Sequence, residues 1–145
     1  MLIDKPGIAR LIPHAGAMCL LDGVLSWDAA GIRCTTASHR SLDNPLRRNG
    51  QLSAMCGVEY AAQAMAIHGA LTASGSHSPR VGYLASLRAV TVHADRLDRL
   101  QGSLTVEAER LHGDADRAIY QFTLRHADRI VLSGRAAVAL LANTT

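Results

Sequence analysis

The stretch GVEYAAQAMAIHG, residues 57–69, decides how the whole chain is interpreted. It lies in a longer segment, residues 52–72, that is almost wholly apolar or small, with Glu59 as its only acidic residue. Ser53 is a suitable N-cap, so we predict a helix over residues 54–73. Because this helix is apolar on nearly every side, it should be buried on most of them. The sequence therefore predicts a central buried helix that carries one unexplained carboxylate.

Strand patterns lie on both sides of the predicted helix. Before it, AMCLLDGVLSWD and IRCTTAS predict two strands joined by a turn, and residues 38–51 predict an ordered loop. After it, four segments predict further strands: RVGYLASLRAVTVHA, GSLTVEAERL, AIYQFTLRH and IVLSGRAAVALL. The second and third of these alternate apolar with polar residues, whereas the fourth could be buried on both faces. Short polar connectors predict hairpins between them.

The order of these elements predicts an α+β protein in which an antiparallel sheet of about five to six strands wraps one long central helix. This is the hotdog arrangement, and we expect residues 1–145 to form a single hotdog domain. The helix has more apolar surface than one small sheet can cover, and an open edge strand invites pairing. We therefore expect a homodimer or a higher homo-oligomer.

Composition excludes several classes of protein. The 145 residues are 48% hydrophobic and 19% charged, as in ordinary globular proteins. The net charge of +3 is spread along the chain, and neither zinc-finger spacing nor an aromatic-basic RNA-binding strand occurs, so we expect no nucleic-acid partner. No histidine lies at metal-ligand spacing from a cysteine or an acid, so we expect no metal and no cofactor.

Cysteine use and hydropathy predict where the protein works. Cys19, Cys34 and Cys56 lie in apolar runs and are odd in number, which favours buried free thiols and a reducing compartment. The N-terminus has no long apolar segment, and the longest apolar stretch contains a glutamate, a glutamine and a histidine. We therefore expect neither a secretory signal nor a membrane span, and a cytoplasmic location.

Three motifs resemble the β-hydroxyacyl-acyl-carrier-protein dehydratases of fatty acid synthesis, and more closely the dehydratase-like proteins of aryl polyene pigment clusters. IPHAGAMCLLDGV is similar to the family's Pro-His followed by an apolar Leu-Leu-Asp run. VEYAAQAM is similar to its Glu-x-x-x-Gln motif on the central helix, and GYLASLRAVTVHADRL to the strand that follows. The motifs occur in the family's order and spacing, and the resemblance covers nearly the whole chain.

The resemblance implies removal of water from a 3-hydroxyacyl thioester on an acyl carrier protein, which gives the trans-2-enoyl thioester. This reaction needs a base at C2, an acid for the departing hydroxyl and a donor to the thioester oxygen. In the family, a histidine is the base, a helix carboxylate of the partner subunit serves the hydroxyl, and backbone N–H groups at the helix start polarise the thioester.

On this chain, Glu59 matches the family's helix carboxylate. Gln63 lies one turn further along the same helix face, where it could hold Glu59 in position. The substrate contacts that the resemblance implies are Gln63, Gln51, Ala54 and Met55.

The catalytic histidine of the fatty acid enzymes has no counterpart here. The family's Gly-His-Phe-Pro loop is shortened, and Gln51 stands where the histidine would follow Gly50. The aryl polyene proteins are similar in this shortened loop. His39, at the end of the second predicted strand, is the candidate base because it could swing toward the site, although a lone loop histidine is more often solvent-exposed.

Arg40, Arg47 and Arg48 gather in the predicted loop beside the expected substrate tunnel. One interpretation is a solvated loop. The other is that Arg47 and Arg48 dock an acidic carrier protein and its phosphopantetheine phosphate. In that case their removal should weaken carrier binding and leave folding almost untouched.

Three functions stay open at this point. The first is an acyl-carrier-protein-dependent 3-hydroxyacyl dehydratase, or a dehydratase-like subunit, in fatty acid or aryl polyene type synthesis. The second is a hotdog acyl thioesterase, in which Glu59 would activate water. The third is a non-catalytic hotdog subunit that stabilises a catalytic partner, such as a second dehydratase subunit in a hetero-oligomer.

Overall fold

The computed structural model describes residues 1–12, 16–73, 82–114 and 116–140. Its regular elements are, in chain order, β1 (Ile3–Asp4), α1 (Lys5–Ala9), β2 (Gly23–Trp27), β3 (Gly31–Thr36), α2 (Gly57–Thr72), β4 (Gly82–Val92), β5 (Leu104–Gly113), β6 (Arg117–His126) and β7 (Arg129–Leu140). A 3₁₀ turn over Ala54–Cys56 leads directly into α2, and Ser53 caps that turn by accepting the Met55 N–H. The predicted helix is therefore confirmed, with a 3₁₀ first turn.

The strands form one antiparallel sheet in the order β1-β2-β3-β5-β6-β7-β4. The predicted hotdog arrangement is confirmed, with seven strands where five to six were expected. The additional strand is β1, which contributes only two residues, paired with Val24 and Gly23 of β2. Such a short strand has no recognisable alternation. The two edges of the sheet are β1 and β4.

The sheet presents its apolar face to α2 and its polar face to solvent. In β5, Leu104, Val106 and Ala108 are buried, while Glu107 and its outward neighbours are not, as the alternation predicts. The expectation that β7 is buried on both faces is wrong. Ile130 is 40% exposed and Arg135 also lies in solvent, because no second layer of described residues covers the outer face of the sheet there.

The start of α2 lies unusually close to the sheet. A Cβ atom at Gly57 would lie 2.7 Å from Leu132 Cδ2 and 2.8 Å from Leu124 Cδ2, both of which are buried. Only glycine therefore lets the helix approach β6 and β7 at this distance. The close contact fixes the depth at which the first turn of α2, including Glu59, sits above the sheet.

The other end of α2 is anchored by the buried His68. Its Nε2 lies 2.8 Å from the Asp28 carbonyl oxygen, so Nε2 donates, and Nδ1 accepts from the Tyr120 hydroxyl at 2.7 Å. Burial lowers the pKa of His68, although its bond to the Asp28 carbonyl acts in the opposite direction. The imidazole is therefore held neutral between β6 and the turn that joins β2 to β3.

We expect stability to fall when the solution is acidified below the ordinary histidine pKa of 6.5. His39 and His68 both have a lowered pKa in the folded state, so the unfolded chain binds more protons. Their contribution is complete above pH 6.5 and is lost as the pH falls toward the folded pKa, by at most about 1.4 kcal/mol per pH unit for each histidine.

Urea denaturation between pH 7.5 and 5.5 measures this loss. His68→Gln keeps hydrogen-bonding groups but cannot titrate, so its stability should depend about half as steeply on pH. His93→Gln, at an exposed position, is the control and should match the wild type. Equal pH dependence in all three proteins would contradict a neutral buried His68.

The three cysteines are free, as predicted. Cys19 and Cys34 are buried, and burial raises the pKa of the Cys34 thiol to about 12. Cys56 is only partly buried. Within the described ranges, no helix is both long and apolar enough to cross a membrane.

Candidate active site

One face of α2 is left uncovered by the chain's own sheet. Glu59 is exposed, as is Met55 in the 3₁₀ turn that leads into α2, and Ala62 and Ala66 are partly buried. Most other residues of the helix are buried. These four positions follow one another at helical spacing and form a single line, which we call the open stripe. It is the surface of α2 that a second chain or a ligand can reach.

Glu59 is the only charged residue of the open stripe. It lies in the first turn of α2, where the helix dipole favours a negative charge. Its carboxylate forms no hydrogen bond or ion pair with any residue that the structure describes. Burial first, and then the nearby charge of Glu59, raise the pKa of the Cys56 thiol. Glu59 is thus available to bind something outside this chain.

Gln63 does not hold Glu59 in position, contrary to the expectation from their spacing. Its side chain is buried, its Oε1 accepts the Leu20 N–H at 2.9 Å, and its Nε2 donates to the Met18 carbonyl at 2.6 Å. Gln63 therefore fastens α2 to the irregular segment that precedes β2. The contact of Gln63 with substrate stays a prediction. The two hydrogen bonds of its side chain within the protein do not favour that contact.

His39 is not the exposed loop histidine that was expected. It lies in a 3₁₀ turn, is fully buried, and its Nε2 is 3.0 Å from the Leu100 carbonyl oxygen. Because a carbonyl can only accept, Nε2 carries the proton and Nδ1 keeps its lone pair. Nδ1 is buried and has no partner among the described residues. Burial lowers the pKa of His39, so the ring is a neutral potential base held in one orientation.

A buried polar network connects the turn that carries His39 to the helix turn that carries Glu59. The Ser38 hydroxyl lies 2.9 Å from the Tyr60 hydroxyl. Asn44 Nδ2 lies 2.8 Å from that Tyr60 oxygen and 3.0 Å from the Ser38 carbonyl oxygen. Ser38 directly precedes His39, and Tyr60 directly follows Glu59. These bonds therefore fix the backbone turn that carries His39 relative to the first turn of α2.

The N–H groups of Ala54 and Met55 already have acceptors within the chain. The Ala54 N–H donates to the Asp95 carbonyl at 3.0 Å, and the Met55 N–H to the Ser53 hydroxyl at 3.3 Å. The Ala54 side chain is buried, whereas Met55 is 48% exposed on the open stripe. Of these two predicted substrate contacts, only Met55 offers an accessible surface.

The loop before α2 ends in a tight turn that exposes Gln51. The backbone groups of Arg48 and Gln51 bond to each other at 2.8 and 2.9 Å, across Asn49 and Gly50 with φ angles of 52° and 74°. Asn-Gly with two positive φ angles is typical of a type I′ turn. The turn leaves the side chains of Arg48 and Gln51 in solvent.

Arg47 holds this loop together and is not a solvated arginine. Its guanidinium donates to the carbonyls of Ser41, Gly50 and His39 at 2.7–3.2 Å, and its side chain is only 11% exposed. A guanidinium with three backbone acceptors has little capacity left for a phosphate. Arg40 and Arg48 are exposed, so the predicted docking role is retained as a proposal for Arg48 alone.

We expect Arg47→Ala to destabilise the protein, which corrects the expectation that both loop arginines are dispensable for folding. The change leaves three carbonyls without their donor, at a cost of about 1–3 kcal/mol. Arg48→Ala is the matched control, one residue away and exposed, and should change stability by less than about 0.5 kcal/mol. Equal urea midpoints for the two variants would show that Arg47 does not hold the loop together.

Asp98 supports the same loop and was not found from the sequence. Its Oδ1 accepts the Leu52 N–H at 2.9 Å and the Arg96 Nε at 3.1 Å, while Arg96 also donates to Oδ2. The Asp98 side chain is 7% exposed. Hydrogen bonds from Arg96 are the main cause of its pKa lying well below the ordinary range. The alternating charges of DRLDR around Leu97 were the only signal in the sequence.

A surface groove lies on the opposite side of the sheet from α2. It is a groove of about 410 Å³ on the outer face, lined by residues that include Trp27, Arg33, Glu107, Gln121 and Arg125. None of the predicted site residues lines it. Within the described ranges, no three His, Cys, Asp or Glu side chains group closely enough to hold a metal ion. Pro13 and His14 of the N-terminal motif lie outside those ranges.

Solved structures with the same fold include a dehydratase complex and thioesterases. The dehydratase heterocomplex ApeI:P from Xenorhabdus doucetiae has a TM-score of 0.78 at 20% identity, over 94% of this chain and 91% of that one. A mutant of thioesterase PA1618 from Pseudomonas aeruginosa has a TM-score of 0.67 at 13% identity, over 97% and 96%. Thioesterase HI1161 from Haemophilus influenzae has a TM-score of 0.66 at 14% identity, over 97% and 95%.

A comparison with curated protein sequences gives no significant match. At these identities the structural neighbours establish the fold alone. The family is established by the sequence, because residues 6–144 match the ApeP-like family, described as ApeP dehydratase. The match covers the open stripe, the loop that Arg47 holds together and every strand except β1. This chain therefore belongs to the ApeP-like dehydratase family.

Proposed function

We propose that the protein is a 3-hydroxyacyl-acyl-carrier-protein dehydratase, or the dehydratase-like subunit of one, with Glu59 as the residue that serves the departing hydroxyl. One observation carries this proposal: Glu59 is the only charged group on the open stripe of an otherwise apolar helix, and no described residue binds it. A carboxylate in that position can hydrogen-bond a 3-hydroxyl whose acyl chain lies along the apolar stripe. Elimination then gives the trans-2-enoyl thioester and water.

The base at C2 is supplied in one of two ways. His39 has the required neutral ring and a free Nδ1 lone pair, but this atom is buried in the single chain. Alternatively, a second subunit contributes a histidine opposite Glu59. The solved relative ApeI:P is a dehydratase heterocomplex, which favours a hetero-oligomer of this kind for the present chain.

Assembly is expected because two apolar features remain open. The first is the open stripe on α2. The second is β4, which among the described strands pairs only with β7 and carries Leu87 and Val92 at 38% and 41% exposure. A strand of this length with one open edge is a strong pairing surface. We expect light scattering at micromolar concentration to report a dimer or larger particle. A monodisperse monomer would rule out assembly through these surfaces by this chain alone.

Turnover assays distinguish the candidate functions. The protein is incubated with 3-hydroxyacyl and with saturated acyl thioesters of an acyl carrier protein, alone and with a second dehydratase subunit. A dehydratase forms the enoyl thioester alone. A dehydratase-like subunit forms the enoyl thioester only in the complex. In that case, His39→Gln identifies the source of the base, because the change abolishes turnover only if His39 is the base. No enoyl product under either condition would exclude the proposal.

A thioesterase is the second candidate, because PA1618 and HI1161 share the fold. In that case Glu59 would activate water against the thioester carbonyl. The same assay decides between them, because a thioesterase releases free acid from the saturated substrate as well.

A further inference from the structure

Half of the outer face of the sheet carries arginine and no carboxylate. The three adjacent strands β6, β7 and β4 contain five arginines and neither aspartate nor glutamate. Glu107 of the neighbouring strand β5 pairs with both Arg33 and Arg125, so one of these five arginines is neutralised. Among the described residues, no carboxylate pairs with the arginines of β7 and β4.

Arg88 of β4 and Arg135 of β7 are neighbours in the sheet. They are Cα partners across β4 and β7, so both side chains leave the same face of the sheet, and both are exposed. Cβ atoms of directly paired residues lie about 5 Å apart, and like charges at that position destabilise a sheet. Arg135 Nε bonds the Gln121 amide oxygen at 3.4 Å, whereas Arg88 has no partner among the described residues.

The next row of paired residues on the same face of β4 and β7 carries hydroxyl groups. Thr91 and Ser133 are also Cα partners, and their hydroxyl oxygens lie 2.9 Å apart. One hydroxyl donates to the other, which leaves one O–H free to donate elsewhere. A β-bulge separates this row from Arg88, and it contains Ala89 at a φ of 51°. Bulges of this kind redirect side chains and are common beside functional sites.

We propose that Arg88, Arg135, Thr91 and Ser133 form a binding site for a phosphate group. Hydrogen-bond donors dominate the site, and strands β6, β7 and β4 contain no aspartate or glutamate. A ligand of this site must therefore supply several acceptor oxygens and negative charge. A phosphate meets both requirements, because guanidinium groups bind its oxygens in bidentate pairs. Binding also removes the repulsion between the two arginines. The site lies on the sheet face opposite α2, so it is separate from Glu59 and does not depend on the proposed reaction.

The test compares inorganic phosphate with chloride at equal pH and ionic strength. In phosphate, the thermal midpoint of the wild type should rise and saturate. Arg88→Gln and Arg135→Gln should lose this rise, with phosphate affinity reduced about tenfold or more. In chloride, the same variants should melt at or above the wild-type temperature, because repulsion is removed. Arg117→Gln removes a positive charge from β6 outside the site and should respond to phosphate as the wild type does.

Pantetheine 4′-phosphate and unphosphorylated pantetheine identify the source of the phosphate. Tighter binding of pantetheine 4′-phosphate than of inorganic phosphate, with no binding of pantetheine, assigns the site to a phosphate ester. Equal affinity for the two phosphates assigns it to the phosphate group alone. No saturable rise in the wild type, or an equal rise in Arg88→Gln, would overturn the proposal.

Discussion

Glu59→Gln should reduce dehydration by about a hundred- to ten-thousand-fold while leaving the thermal midpoint unchanged or slightly higher. The change keeps the shape of the side chain and its hydrogen-bonding capacity, but removes the acid. Glu59 forms no hydrogen bond or ion pair within the described chain and is exposed, so folding should change by less than about 0.5 kcal/mol. The rate is measured in whichever assembly gives wild-type turnover.

The control for this experiment is Glu109→Gln. Glu109 is also an exposed glutamate, but it lies on the outer face of the sheet, so its replacement should change neither rate nor midpoint. A Glu59→Gln protein that is active but destabilised would show that Glu59 is a structural residue of the assembly. An active and fully stable variant would exclude any role for it in proton transfer.

Asp98→Asn should produce the largest loss of stability among the polar substitutions considered, about 2–3 kcal/mol. The change keeps an acceptor for the Leu52 N–H but removes the charge that pairs with Arg96 and lies 4.0 Å from Arg47. Two arginines then lie beside a neutral amide with little solvent. Because the same cluster holds the loop before α2, exchange of the Leu52 amide should also accelerate.

The matched control is Asp95→Asn, three residues away. The Asp95 side chain is exposed, and only its backbone carbonyl contributes to the structure, by accepting the Ala54 N–H. Its replacement should therefore change the urea midpoint very little. If both variants unfold at the same urea concentration, the interactions of Asp98 contribute no more to the free energy of unfolding than an ordinary surface ion pair does.

The regular elements could be predicted because their patterns repeat within a few residues. The central helix follows from a long apolar segment, and β5 and β6 follow from strict alternation. The segment AMCLLD, residues 17–22, was wrongly included in a strand, which begins only at Gly23. Leu20 and Leu21 are buried there, but the Leu20 backbone bonds to the side chains of Gln63, Thr36 and Ser38. An apolar run does not reveal whether a strand or a side chain will satisfy its backbone.

The candidate site was predictable only in part for a similar reason. Glu59 could be identified because a lone carboxylate in an apolar helix is conspicuous in the sequence. Arg47 and Arg48 are adjacent and chemically identical, yet one is partly buried and bonds to the loop backbone, whereas the other is solvated. Their difference depends on Asp98, about fifty residues later in the chain, and on the turn over residues 48–51. Such contacts between distant residues leave no local pattern.

The strand order has a consequence for synthesis on the ribosome. Of the seven strands that the structure describes, β4 pairs with β7 alone, although β5 and β6 are translated between them. A nascent chain therefore displays the apolar β4 without a partner until Arg129–Leu140 has left the exit tunnel. During that interval β4 is available to aggregate or to bind a chaperone. Translation arrested before β7 should yield insoluble product, whereas arrest after β7 should release a chain that can close its sheet.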